Sequence, residues 1–180
     1  MGAPGTRAIL TLELAGIVFI VFLGSALHFT FEWSGGNPLV GVFSAVNESV
    51  WEHLKLSFWP ALLYALLEHR HLRGRTGRFL PAKAVGIYLM PLFITSSFYL
   101  YRAFLEESLA LDLSIFVLAV AIGQLASYRL MVRRGPSRIS ARASLLALAL
   151  LAGLFMVFTF SPPHLSIFED PTSRGYGIQA

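Results

Sequence analysis

The chain has 180 residues, of which 56% are hydrophobic and 13% charged, against about 25% charged in ordinary soluble domains. That balance argues against a water-soluble fold and makes the bilayer the expected solvent. The absence of cysteine excludes disulfides, thiolate metal ligands and cysteine nucleophiles, and the net charge of +4 does not point to nucleic acid once the charges are placed along the chain.

Five apolar segments are long enough to span, at residues 9–31, 47–67, 84–104, 111–131 and 140–160, since a helix crossing the hydrocarbon core needs about 20 residues. Arg7, the apolar stretch at 17–23 and Gly24-Ser25-Ala26 loosely match a cleavable signal. The apolar run continues to Phe31, however, so the segment reads as a span. The second segment takes Asn47 as its helix cap, and Pro60 and Pro91 are expected to kink the second and third spans.

Charge then sets the orientation. The 70–83 loop carries Arg70, Arg73, Arg75, Arg78 and Lys83, and the 129–142 loop carries Arg129, Arg133, Arg134, Arg138 and Arg142. With Arg7, these place most of the basic residues at one end, and the positive-inside rule makes that end cytoplasmic. The predicted fold is an all-α bundle of five transmembrane helices in one domain, with the N-terminus cytoplasmic and the tail 161–180 extracytoplasmic. The arginines are orientation signals with a secondary affinity for anionic headgroups, and no nucleic acid is expected.

The candidate site lies at the outer end. His28 and Glu32 are four apart on one helix face, as are Glu48 and Glu52. Like charges at that spacing repel unless a cation lies between them, and Lys55, three residues beyond Glu52, is a candidate for it. Antiparallel neighbouring helices bring these polar ends to similar depth. Imidazole and carboxylate suit zinc, iron or manganese, so His28, Glu32, Glu48, Glu52, His53 and, from the tail, His164 are candidate metal ligands. Glu48, Glu52 and His53 are also the candidate acid–base groups, and Asn47, Trp51, Lys55, Tyr101 and Asp170 are expected around the pocket. Structural readings stand beside these: Glu48 complementing a helix dipole, Glu52–Lys55 as an interfacial ion pair, and the tryptophans as an aromatic belt.

The tail stiffens at Pro162-Pro163 and is expected to fold back as a lid. At the inner end, Glu68, His69 and His71 read as an exposed cluster, Glu13 as a partner of Arg7, and Gln124 as an inter-helix hydrogen bonder.

The run HFTFEWSGGNPLVGVFSAVNESVWEHLKLSFWP, with PPHLSIFEDP and YGI near the end, resembles a family of small bacterial multi-pass membrane proteins of unknown function. The resemblance implies an integral membrane protein and supplies no catalytic residues. Three function classes follow: a metal-dependent membrane hydrolase acting on a small-molecule or lipid ligand, a transporter or channel component, and a non-catalytic scaffold. A homo-oligomer is compatible with each.

Overall fold

A computed structural model describes residues 5–72, 76–133 and 135–178; Arg73, Arg75 and Arg134 of the basic loops lie outside the described residues. Each expected span is a helix with shifted ends: α1 (Thr6–Trp33), α3 (Val50–Leu72), α4 (Phe79–Arg102), α5 (Leu109–Val132) and α6 (Ala141–Phe160), with a single-turn α2 (Pro38–Gly41) between the first two. Among the described residues there is no strand, only an isolated antiparallel bridge between Glu169 and Tyr176 in the tail.

Local chemistry explains the shifted ends. Asn47 does not cap α3: its Oδ1 accepts from Ser49 N at 2.9 Å in a turn, and Ser49 Oγ accepts from Glu52 N at 3.4 Å. Ser49 is therefore the cap, with the spacing of a capping box. Glu48 consequently precedes the helix instead of sharing a face with Glu52. At the other end, α4 begins at Phe79, and its Pro81 sits in the first turn, where a missing N–H leaves no intrahelical bond unmade. Lys83 thereby moves from the expected loop into the helix, where it is buried. Pro60 and Pro91 both lie inside continuous helices.

Helices α1, α3, α4 and α5 close a ring of neighbours, and α6 packs outside it on α4 and α3. Tyr88 of α4 donates to Ala147 O of α6 at 2.6 Å. Four helices, α1, α4, α5 and α6, are long and apolar enough to cross a membrane, and less than a third of each apolar window is buried. Large apolar side chains such as Phe22, Leu92, Leu118 and Leu146 face outward. Water would penalise that distribution and lipid would not, so the fold is compatible with a multi-pass membrane protein. Helix α3 is the most enclosed and the most polar, carrying Glu52, Lys55 and Glu68 as buried groups.

Candidate functional site

The C-terminal end of α1 presents His28, and the first turn of α3 presents His53. Their Nε2 atoms are 3.3 Å apart. Glu48, in the loop before α3, brings Oε2 to 3.4 Å from His53 Nε2 and 3.9 Å from His28 Nε2. His53 Nδ1 lies 2.9 Å from Ser49 O. A carbonyl can only accept, so Nδ1 carries a proton, and Nε2 faces the cluster, donating to Glu48 when the ring is protonated and offering a lone pair when it is neutral. The same contact fixes the ring's orientation, as outer hydrogen bonds do for metal-binding histidines. Two imidazoles and a carboxylate thus converge, each within reach of one ion.

The cluster opens onto a cleft of about 420 Å³ between the halves of α1, α3, α4 and α5 nearest the histidines. Its walls are largely apolar, with Leu56, Ile94, Phe98, Leu113 and Phe116 among them, while Arg102, Glu107, Asp112 and Glu169 supply polar groups. Leu109 and Leu113 of the α5 wall are exposed, so this side of the cleft continues into the apolar outer surface of the bundle.

The tail folds back over the start of α3 and the end of α6. Trp51 N donates to Ile167 O at 3.0 Å, and Ile178 N to Thr159 O at 3.1 Å. Asn47 Nδ2 donates to Gly177 O at 3.0 Å. The Trp51 ring packs among Phe155, Phe158 and Phe168, with centroids 4.8–5.5 Å away. Ser166, Glu169 and Pro171 of the tail form part of the cleft wall.

The other expected site residues lie elsewhere. Glu52 is buried against Lys55, Oε2 to Nζ 2.5 Å, and also accepts from Val46 N at 3.1 Å. Lys55 bonds Gly41 O and Thr159 Oγ1 as well, so this pair ties the α2 region and α6 to α3 and does not face the histidines. Glu32 is exposed at the end of α1. His164 stacks on Tyr176 at 4.5 Å between centroids. Asp170 accepts from Thr172 N and Ser173 Oγ to shape the tail turn, and Tyr101 bonds Asp112 Oδ1 at 2.6 Å, joining α4 to α5.

At the opposite end of the bundle sits a second charged centre, whose members were expected in separate roles. Lys83 Nζ is 2.7 Å from both carboxylate oxygens of Glu13 and closely paired with Glu68. Glu68 is buried, not exposed, and Glu13 pairs with Lys83, not Arg7. Gln124 does bridge helices, donating to Glu13 O at 3.4 Å. The available signal was an acidic residue inside each of two otherwise apolar helical stretches.

The hydrogen bond to His53 holds the Glu48 carboxyl below its usual range, against the opposing effect of partial burial. With a depressed folded value, the contribution is present above the ordinary carboxylate range and is lost as pH falls through the depressed value. Titration of labelled histidine rings by NMR is expected to show an acid-limb transition in the wild type that Glu48→Gln removes. The same transition in both proteins would detach Glu48 from His53.

A family model described as "Family of unknown function (DUF6512)" matches residues 8–178. No curated protein and no solved structure matches the chain.

Proposed function

Because the chain belongs to DUF6512, a family of unknown function, the site geometry carries the reading, and we propose a membrane-embedded, metal-dependent hydrolase whose metal is held by His28, Glu48 and His53. The observation behind it is the meeting of three electron-pair donors at 3.3, 3.4 and 3.9 Å. With both rings neutral, imidazole lone pairs and a carboxylate repel, so a cation, either a metal or a proton on His53, belongs between them. A tetrahedral zinc with ligands about 2.1 Å away separates its ligand atoms by about 3.4 Å, close to the spacing found. Two His and one Glu with a remaining open position is the ligand pattern of catalytic zinc.

A metal held by these three residues would border the apolar cleft and would supply activation of water for attack on an ester or amide carbonyl, and the cleft suits one acyl-type chain of an amphiphile entering from the bilayer beside Leu109 and Leu113. In this reading α3 is a fifth span whose charged groups are sheltered by its neighbours. The basic loops face the cytoplasm, and the metal lies near the outer headgroup level.

Elemental analysis of detergent-purified protein after zinc loading and desalting tests the site. About one zinc per chain is expected, with loss to near background in His28→Ala and His53→Ala, while Glu32→Gln and His164→Ala keep it. Absence of zinc from the folded wild type, or equal zinc in all four variants, would overturn the metal site. Zinc-dependent release of fatty acid from a panel of acyl esters and amides then tests the hydrolase: a stoichiometric but silent zinc would leave the ligand set standing and refute the reaction.

A further inference from the structure

The inner centre differs from the outer ion pair in one respect, its charge count. Glu52 and Lys55 balance one to one. Inside the ring, a single Lys83 faces two carboxylates, Glu13 and Glu68. All three side chains are buried. An uncompensated charge in such a place costs several kcal/mol, so the site requires one more positive charge than Lys83 supplies.

An ammonium has three protons to donate. Lys83 directs contacts to both Glu13 oxygens and to Glu68 Oε2. Neither Glu68 oxygen completes a hydrogen bond, Oε2 having only the ion-pair contact. The Ser127 hydroxyl of α5, fully buried, lies beside Glu13. Among the described residues, Lys83 is the one cation in ion-pair contact with these carboxylates, and other groups surround the centre. From α3 come Tyr64, whose hydroxyl donates to Leu12 O, and His71, exposed at the helix end near Glu68. From α4 comes the Phe79 ring, 5.9 Å from Lys83 Nζ, and from α5 come Gln124 and Ser127.

We propose that the Glu13–Lys83–Glu68 triad is a binding site for one exchangeable proton, carried by Glu68 and delivered from the inner aqueous side. Glu68 is the carrier because Lys83 spends two contacts on Glu13 and one on Glu68. It also lies one turn from the end of α3, with the exposed His71 electrostatically coupled to it. A bare alkali cation is disfavoured because the Lys83 ammonium already occupies the space between the carboxylates. The centre is separate from the histidine cluster and does not depend on the metal.

Infrared spectroscopy of the full chain in lipid nanodiscs reads the proton directly. At neutral pH, one buried carboxylic-acid carbonyl band per chain is expected, shifted in D2O. Glu68→Gln and Glu13→Gln each restore a one-to-one balance and are expected to remove the band. Lys83→Met takes away the shared cation and is expected to raise it about twofold. Glu52→Gln, altering the balanced outer pair, is expected to leave it in place. Should Lys83→Met not fold, the two near-isosteric Gln variants still carry the test. No band in the wild type, or a band unchanged in both Gln variants, would overturn the proposal. A band that emerges only when sodium and potassium are replaced by choline would overturn it in favour of an alkali cation.

Discussion

Lys55→Met is expected to destabilise the protein by about 3–5 kcal/mol, the usual cost of breaking a buried ion pair from one side. Lys55 is fully buried, and its three contacts are Glu52 Oε2 at 2.5 Å, Gly41 O at 2.7 Å and Thr159 Oγ1 at 2.8 Å. Methionine fills much of the space but leaves Gly41 O without its donor and Glu52 with only the Val46 N–H. The neutralising response of an isolated carboxylate is to take up a proton, so the loss should shrink in acid. Removing both charges, as Glu52→Met with Lys55→Met, is expected to recover much of the stability, because no unpaired charge then remains. Denaturant unfolding in detergent checks this. A single-variant loss below about 1 kcal/mol would mean that water reaches the pair.

The second large effect is expected at the α4–α5 crossing. A Cβ on Gly86 would lie 2.5 Å from Gly123 O, and one on Gly123 would lie 2.6 Å from Gly86 O. Both obstacles are backbone, so no rotamer change relieves them. Small residues bring helix backbones together in this way where lipid removes the hydrophobic drive between them. Gly86→Leu must separate α4 from α5, and a loss of at least about 3 kcal/mol is expected, the upper end for overpacking. Gly153→Leu in α6 is the control: a Cβ there meets nothing within 4 Å, so the change should be near neutral. Equal thermal midpoints for the two variants would dismiss the close crossing. The same crossing positions the α4 and α5 walls of the cleft, so Gly86→Leu should also weaken ligand retention.

Much of the helical layout was legible before any coordinates. Long apolar runs separated by basic or Pro/Gly-containing loops leave little but helices, and the helices of the described residues follow all five runs. The concentration of His and Glu around residues 28–53 lies at one end of the molecule, where three of those groups converge. What was not legible was which of those groups meet. Glu48 and Glu52 stand four apart in sequence, yet the Ser49 cap starts the helix between them and sends one carboxylate to the histidines and the other to Lys55. A cap is a choice between Asn47 and Ser49 worth about 1 kcal/mol, too fine for pattern reading.

Composition and periodicity, then, determined what each segment must be, because the energy of an apolar helix in lipid depends on its own residues and hardly on its neighbours. Pairing of the charged groups was decided only by tertiary structure. Glu13, Glu68 and Lys83 are each unremarkable near a helix end, and they form one centre because α1, α3 and α4 meet there. His28, Glu48 and His53 belong together for the same reason: the loop through Asn47 and the returning tail hold the start of α3 against the end of α1. Electrostatic partners are set by distances of a few ångströms across elements, and those distances arise from helix packing rather than from sequence spacing.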